Sequence, residues 1–435
     1  MALSSAPQEV RAWLLSLKPG TLRLYVAQGI AAVASLLTLI ILNATLGTAP
    51  LGKLLVAITI FFALRTLITL QSWPALLKRA IELEQAENLP ALATLFKSYW
   101  LLDIVSGALG AGVGFLLLPW LAVWLEWEPA LLTGARWFLW VLLISWLNVP
   151  LAVIRMYSAQ KALALSFVIA PCLQLVAAIA LWWAGETDPE IYYPWWAATY
   201  GLETVTLFVL GYRILARAGV QRWMTAPVQI RGQGLATAWW TNLSQSLNVV
   251  VQQVDVILVS AIISMEAVTI YRFLKQVGTM ITRLVDPLFQ SSFADLMRIG
   301  TAPGVDSLQE FLRATTVFGF ISVPLCILAA ITSPLWLSII FGPEQAFLWS
   351  TVAIFMIAIS VVSTFVAIHP LAIGLGFARA TTLIQVCSYT LFLTGVVYLG
   401  GFYGLVGVAC SYLIAMLLMV GWKLYLVLPR LGVGR

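Results

Sequence analysis

The chain has 435 residues, of which 61% are hydrophobic and only 10% are charged, and its mean hydropathy is +0.97. Because about a quarter of the residues in a water-soluble domain are charged, this composition excludes a soluble globular protein and indicates a polytopic membrane protein. The net charge of +6 does not indicate a nucleic-acid partner, since the distribution of Lys and Arg follows a membrane topology.

Twelve apolar runs are each long enough to cross a bilayer as a helix, for which about 20 residues suffice. The runs do not alternate between polar and apolar residues, so they do not indicate a transmembrane barrel. The sequence therefore predicts an all-α polytopic membrane protein. Its predicted spans are residues 22–44, 51–73, 99–121, 131–153, 162–184, 194–216, 236–263, 267–290, 311–335, 347–369, 379–399 and 402–427.

The basic residues of the loops lie almost entirely on one side of the predicted topology. With a cytoplasmic N-terminus, 18 of the 24 Lys and Arg residues are cytoplasmic, Lys53 and Arg136 are on the opposite side, and four lie within spans. Lys and Arg accumulate in cytoplasmic loops of membrane proteins. The ratio of 18 to 2 therefore predicts that both termini are cytoplasmic.

Two cytoplasmic segments are longer than the other loops. Residues 74–98 carry mixed charges and are predicted to contain a partly amphipathic surface helix. Residues 213–234 are basic and rich in glycine, and they lie near the middle of the chain. This second segment predicts a linker between an N-terminal six-helix lobe, residues 1–220, and a C-terminal six-helix lobe, residues 221–435.

A short internal match suggests that the two halves are related. Pro150-Leu151-Ala152-Val153 ends span four, and Pro370-Leu371-Ala372-Ile373 ends span ten, 220 residues later. Because each half has six spans, a repeat of this kind would be parallel and related by an axis along the membrane normal. The expected architecture is two six-helix lobes around a central cavity.

Each of the two spans after the linker carries a stripe of polar side chains. Successive residues of an α-helix are about 100° apart around its axis, and at this angle the polar residues of each span lie on one face. In span seven they are Thr241, Gln245, Asn248, Gln252 and Asp255. In span eight they are Arg272, Lys275, Thr279, Arg283, Asp286 and Gln290. A charge at the bilayer centre costs about 2.5–3.5 kcal/mol, so three basic residues facing lipid would cost on the order of 10 kcal/mol. The stripes are predicted to face each other across a wet cavity with an anionic ligand.

A structural alternative stays open for the same charges. Asp255 and Asp286 could pair with Arg272 and Arg283 and hold helices together without any ligand. Against this, the basic residues within the spans outnumber the acids of spans seven and eight by four to two. Uncharged amides and hydroxyls also extend the stripes beyond what ion pairing requires.

Signatures of enzymes are absent from the sequence, which has no phosphate-binding loop, HExxH motif, nucleophile elbow or CxxC pair. Acidic residues in the outer loops are flanked by Trp and Tyr, a pattern typical of an interfacial aromatic belt. The cysteines all lie in apolar runs, which favours a packing role, and they are Cys172, Cys326, Cys387 and Cys410. No cofactor or metal site is predicted.

Several short motifs, taken in chain order, carry a resemblance to a known family. They are Leu46-Gly47 with Gly52, residues 253–258 (QVDVIL), Tyr271 with Pro287-Leu288-Phe289, residues 340–343 (IFGP), residues 376–379 (GFAR) and residues 401–407 (GFYGLVG). In this order and spacing, the chain resembles the Wzx-like polysaccharide and O-antigen flippases of the multidrug/oligosaccharidyl-lipid/polysaccharide exporter (MOP) superfamily.

The resemblance implies a twelve-helix transporter of the bacterial inner membrane that is not an enzyme. Its implied cargo is an undecaprenyl-diphosphate-linked oligosaccharide, moved by alternating access from the cytoplasmic to the periplasmic leaflet. The cargo would serve assembly of O-antigen, capsule or exopolysaccharide. Membrane lipids and polysaccharide polymerase machinery are the other implied partners, and the implied oligomeric state is a monomer.

Candidate site residues follow from combining this cargo with the intramembrane polar groups. The diphosphate would be bound by Arg65 in span two and by Arg272, Lys275 and Arg283. Sugar hydroxyls would be bound by Gln245, Asn248 and Gln252. Coupling to protons, or positioning of the basic side chains, would fall to Asp255, Glu203 and Asp286.

Two other functions are weighed against this one. A MATE-like drug or cation antiporter would require acids to dominate the cavity, whereas basic residues dominate the spans here. A membrane-embedded polysaccharide polymerase or ligase would require a large outer loop with catalytic groups, whereas the outer loops here are short and almost free of Lys and Arg.

Overall fold

The computed structural model describes six stretches of the chain: residues 19–68, 73–157, 159–220, 223–228, 251–301 and 307–431. Within these stretches the backbone is 90% helical and contains no strand, which confirms the predicted all-α class. Seven of the described helices are long and apolar enough to cross a membrane. Two shorter apolar helices, Pro129–Leu142 and Val251–Ile262, accompany them.

The described stretches contain fourteen α-helical elements, the last of which consists of two helices joined at Gly404. In chain order they are α1 Pro19–Leu46, α2 Thr48–Ile68, α3 Trp73–Gln85, α4 Leu89–Trp124, α5 Pro129–Leu142, α6 Asn148–Met156, α7 Gln160–Trp183, α8 Pro189–Arg217, α9 Val251–Ile262, α10 Met265–Thr301, α11 Ser307–Phe341, α12 Trp349–Thr364, α13 Ile368–Gly374 and α14 Ala378–Val427. Short 3₁₀ helices follow three of them, at Trp223–Thr225, Pro343–Leu348 and Leu428–Leu431. Every predicted span coincides with one or two of these helices, although only the end of span seven is described.

Two details of the predicted spans are wrong. Span four is broken into α5 and α6 at residues 143–147, and span ten is broken into α12 and α13 at residues 365–367. Because the sequence stays apolar through both breaks, a hydropathy average does not reveal them. Spans eleven and twelve are separate helices, as predicted: they are the two parts of α14, which meet at the non-helical residue Gly404, where φ is 59° and ψ is −141°. Glycine adopts this backbone conformation without the steric penalty of a Cβ atom.

The cytoplasmic segment predicted over residues 74–98 forms α3 and the first turns of α4. Between them, Glu87 has a φ of 52°, and the side chain of Asn88 accepts a hydrogen bond of 3.1 Å from the N–H of Ala91. Pro90 lies in the first turn of α4, where its missing N–H costs no helical hydrogen bond. These local features end α3 and start α4 in a new direction.

The helices form two compact units, one of residues 26–257 and one of residues 1–25 together with 258–435. The start of the predicted linker is folded onto the first unit, because α8 continues to Arg217 and Trp223 is buried against Trp100 and Phe208. The predicted lobe boundary near residue 220 stays a prediction, since residues 229–250 lie outside the described stretches.

Corresponding helices of the two units begin at nearly constant separations. The starts of α10, α11, α12, α13 and α14 fall 217, 218, 220, 220 and 218 residues after those of α2, α4, α5, α6 and α7, respectively. The packing partners also correspond: α5 packs on α2, α4 and α8, while α12 packs on α10, α11 and α14. The repeat suggested by the Pro-Leu-Ala match therefore extends to the helix breaks and to the packing within each unit.

Glycines on one face of α4 allow this helix to approach α5 closely. A Cβ atom on Gly107 would collide with the backbone carbonyl of Leu142, the last residue of α5. At Gly114, two turns further along, a Cβ atom would lie 2.5 Å from the side chain of Leu139. The obstacle at Gly107 is backbone rather than a flexible side chain, so this position accepts no larger residue without displacement of a helix.

We expect Gly107→Ala to lower the melting temperature of the purified protein by several degrees, because overpacking a well-packed interface costs about 1–3 kcal/mol. Gly112→Ala in the same helix is the matched control, since nothing lies within 4 Å of its added Cβ atom. That control is expected to leave stability unchanged or improve it, because alanine favours a helix over glycine by about 1 kcal/mol. Equal melting temperatures for the two variants in detergent would contradict the close packing of α4 on α5.

Candidate functional site

Arg65 lies near the end of α2, in the unit of residues 26–257, and its side chain is half-buried. Because α2 packs on both α8 and α4, the guanidinium interacts electrostatically with the carboxylates of Glu203 and Asp103. Its central carbon also lies 5.9 Å from the centroid of the Phe61 ring. Arg65 and Glu203, two predicted site residues that are 138 positions apart in the chain, therefore lie on helices that pack together.

Asp103 is a member of this cluster that the sequence analysis missed. It lies on α4 and is only 2% exposed. One carboxylate oxygen accepts a hydrogen bond of 2.6 Å from Nδ2 of Asn148, and the other accepts one of 3.2 Å from the N–H of Asn148. The N–H of Val149 also donates to this carboxylate. A single acid within an otherwise apolar span was the signal that could have identified it.

The hydrogen bonds of Asp103 explain how span four is broken without leaving buried donors unpaired. Asn148 is the first residue of α6, and the residue before it supplies no side-chain cap. Asp103 therefore satisfies from another helix the first N–H groups of α6, which have no acceptor within the helix. The side-chain oxygen of Asn148 in turn accepts a hydrogen bond of 3.2 Å from the N–H of Trp73, at the start of α3.

The predicted basic residues of span eight all lie on α10, in the other unit. This helix is continuous from Met265 to Thr301, and Arg272, Lys275 and Arg283 are each half-buried. From Arg272 to Asp286 the stripe extends about 21 Å at 1.5 Å per residue. Within the stripe, the hydroxyl of Thr279 donates a hydrogen bond of 2.8 Å to the backbone carbonyl of Lys275. This hydroxyl is therefore bonded within its own helix.

Neighbouring side chains hold two of these cations against α10. The ammonium of Lys275 lies 5.4 Å from the ring centroid of Tyr271, within the range of a cation–π contact. Arg283 interacts electrostatically with Asp286, one turn further along the same helix, so this pair does not join two helices. The Nη1 atom of Arg283 is buried and has no hydrogen-bond partner among the described residues.

The other predicted site residues are only partly described. On α9, Gln252 is exposed, whereas Asp255 is buried with 3% of its surface exposed. Gln245 and Asn248, like Thr241, lie outside the described residues, and so does the side chain of Gln290. The predicted opposition of two polar stripes across a cavity therefore stays a prediction.

One of the 18 basic residues counted on the cytoplasmic side is buried within the protein. Lys423 on α14 is only 5% exposed, and it interacts electrostatically with His369 on α13. Ile368, Leu371 and Val427, on the same two helices, belong to one buried apolar cluster. Among the described residues, no group of three or more His, Cys, Asp or Glu side chains is placed to hold a metal ion.

Comparison with sequence families gives one match that covers more than half of the chain. A family model described as "Polysaccharide biosynthesis protein" matches residues 17–293. A search of curated proteins by sequence found no match.

Solved structures of membrane transporters share the fold. An inward-facing multidrug resistance MATE family transporter of the MOP superfamily matches with a TM-score of 0.71 over 99% of this chain and 98% of its own, at 12% identity. A second match is a MOP superfamily transporter from Pyrococcus furiosus, which is reported with a binding pocket of reverse polarity. Its TM-score is 0.65 over 95% of each chain, at 12% identity. The Lipid II flippase MurJ matches with a TM-score of 0.63 over 93% of this chain and 87% of its own, at 12% identity. The predicted helical transporter fold is thereby confirmed.

We expect Arg65→Gln to lower the melting temperature more than the double variant Arg65→Gln/Glu203→Gln. The single change leaves two carboxylates together in a low-dielectric site, whereas the double change removes one of them along with the cation. Glu203→Gln alone completes the cycle, which is measured by thermal denaturation in detergent. Strictly additive losses would show that Arg65 and Glu203 do not interact.

Proposed function

The chain belongs to the polysaccharide biosynthesis protein family, and on that premise we propose that it is a flippase for a lipid-linked oligosaccharide. The cargo is an oligosaccharide on undecaprenyl diphosphate, moved from the cytoplasmic to the periplasmic leaflet of the bacterial inner membrane. Both termini are cytoplasmic in this proposal, as the ratio of 18 to 2 basic loop residues predicts. The protein acts by alternating access and serves surface polysaccharide assembly.

The observation that carries the proposal is the row of half-buried cations on α10. Arg272, Lys275 and Arg283 supply three positive charges against the single acid Asp286 of that stripe. Guanidinium groups bind phosphate oxygens through paired, charge-assisted hydrogen bonds. A diphosphate supplies both the negative charge and the acceptor oxygens that such a row requires.

Arg283 illustrates why an anion from outside is the expected partner. Its Nη1 atom is buried without a hydrogen-bond partner among the described residues, and a buried unsatisfied donor costs about 1–3 kcal/mol. Asp286 offsets the charge of Arg283 from the same helix, but it does not occupy that donor. A phosphate oxygen at Nη1 would recover the cost.

The remaining candidate residues take roles around this row. Arg65 offers a further guanidinium for phosphate, and Gln252, with Gln245 and Asn248, would bind sugar hydroxyls. Asp255, Glu203 and Asp286 would position the cations or couple transport to protons. The Lipid II flippase MurJ has this fold, which supports the transport of a lipid-linked molecule. The Pyrococcus furiosus transporter is described with a binding pocket of reverse polarity, which supports the idea that proteins of this fold carry cargoes of different charge.

The membrane potential alone makes outward movement of such a cargo favourable. Transfer of one negative charge out of a negative interior releases about 2.3 kcal/mol per 100 mV. A diphosphate with about two negative charges would therefore gain about 5 kcal/mol per 100 mV. Proton or sodium coupling is not required by this energy balance.

We expect cells lacking this protein to accumulate undecaprenyl-diphosphate-linked oligosaccharide on the cytoplasmic leaflet, because synthesis continues while translocation stops. Mass spectrometry of inner-membrane lipids measures the accumulation and identifies the glycan by its mass. Normal glycan display without accumulation would contradict the proposal, and drug sensitivity would then test the antiporter alternative.

We expect Arg272→Ala and Arg283→Ala each to abolish glycan export while the protein persists in the membrane. Loss of a charge-assisted hydrogen bond costs about 1.5–3 kcal/mol, which weakens binding by roughly tenfold to hundredfold. Arg213→Ala is the matched control, because Arg213 is an exposed arginine near the end of α8. Normal export by both α10 variants would refute the role of this row, and loss of both proteins from the membrane would show that the cations are structural.

A further inference from the structure

One face of α10 packs against α12 within its own unit, and this contact fixes where the opposite face lies. A Cβ atom on Gly278 would lie 3.2 Å from the side chain of Ile359 on α12. The rings of Tyr271 and Phe355 have their centroids 6.2 Å apart. Ile281, about one turn after Gly278, is only 6% exposed. The packed side of this part of α10 is therefore the side of Tyr271, Gly278 and Ile281.

Gln276 lies on the other side of α10, together with the row of cations, although it was not among the predicted site residues. At 100° per residue it is about 160° around the helix axis from Gly278, but only about 40° from Arg272 and about 20° from Arg283. It comes one turn after Arg272 and two turns before Arg283. At 1.5 Å per residue, about 10 Å along the axis separates Gln276 from Arg283.

The amide nitrogen of Gln276 is a buried donor that has no hydrogen-bond partner among the described residues. The side chain as a whole is half-buried. The Nη1 atom of Arg283 is in the same situation, whereas the hydroxyl of Thr279, between them, is bonded within the helix. Since buried polar groups in proteins are nearly always hydrogen-bonded, two unbonded donors on one helix face indicate that this face binds a ligand.

An amide suits a different part of the cargo from the part that a guanidinium suits. An ionised diphosphate only accepts hydrogen bonds, and charged donors bind such a group about twice as strongly as neutral donors do. The row supplies three charged donors for it, on Arg272, Lys275 and Arg283. A sugar hydroxyl both donates and accepts, and so does the amide of a glutamine. The complementary group for Gln276 is therefore a hydroxyl of the glycan.

We propose that Gln276 is a further binding residue of this transporter, and that its amide binds a hydroxyl of the sugar next to the diphosphate. The inference rests on the proposed function, because it takes a glycan on a lipid diphosphate as the cargo. Arg283 binds the charged linkage, which every lipid of this kind shares. Gln276 contacts the part that differs between glycans, so it contributes to the choice of cargo.

The test compares equilibrium binding of two lipids to the full-length protein in detergent: undecaprenyl diphosphate, and the same lipid carrying one N-acetylglucosamine. Gln276→Leu keeps the approximate size of the side chain and removes its hydrogen bonds. This variant is expected to bind the glycosylated lipid about threefold to tenfold more weakly than wild type, as for the loss of one neutral hydrogen bond. Its binding of the sugar-free lipid is expected to stay unchanged, whereas Arg283→Ala weakens the binding of both lipids.

Two further measurements separate this role from a structural one. Gln309→Leu is the matched control, because Gln309 is an exposed glutamine in the first turn of α11, and it is expected to bind both lipids as wild type does. The melting temperature of Gln276→Leu without ligand is expected to equal or exceed that of wild type, because the change breaks no hydrogen bond of the amide nitrogen. A structural role predicts a lower melting temperature and weaker binding of both lipids.

Unchanged binding of the glycosylated lipid by Gln276→Leu would overturn the inference, as would an equal loss for both lipids. Equal affinity of the wild-type protein for the two lipids would also overturn it, because the sugar would then make no contact. If Gln276→Leu does not fold, the lower stability contradicts the expected melting temperature, and Gln276→Ala repeats the comparison of the two lipids. Failure of the wild-type protein to bind either lipid would refute the proposed function itself.

Discussion

The cost of charge in a low-dielectric layer is the constraint on which this structure depends. A single charge at the bilayer centre costs about 2.5–3.5 kcal/mol, and the protein responds by grouping its intramembrane charges. Arg65 lies with Glu203 and Asp103 in one unit, and Arg283 lies with Asp286 in the other. The long glycine-lined contact of α4 with α5 supports the first group, because it places Asp103 at the start of α6.

The two units share an order of helices and the positions of their breaks, but their polar chemistry differs. At the break after α5, a carboxylate bonds the start of α6. At the corresponding break after α12, the hydroxyl groups of Ser322 and Thr364 meet at 3.3 Å. Hydrogen bonds to charged groups contribute about 1.5–3 kcal/mol, against about 0.5–1.5 for neutral ones. The unit with the stronger junction contains the buried acid Asp103, whereas α10 in the other unit carries a row of basic residues.

Much of the candidate site was predictable because intramembrane charge is rare and conspicuous. Arg65, Glu203 and the basic residues of α10 were identified as charges within apolar runs. Asp103 was missed although the same criterion applies to it, and its importance depends on Asn148, which is 45 residues away and uncharged. Lys423 was assigned to the cytoplasm by topology, whereas its burial beside His369 depends on how α13 packs against α14.

The sequence by itself determined the helical class, the approximate spans and the kind of charge within the apolar runs, because each follows from composition along a local stretch of chain. Tertiary structure decided where spans four and ten break and which carboxylates surround Arg65. Hydropathy averages over about 20 residues, so it reports whether a segment enters the bilayer. A helix break within the bilayer is stable only where another helix supplies the missing hydrogen-bond acceptor, and the α4 residue that supplies it, Asp103, meets α6 only in the folded protein.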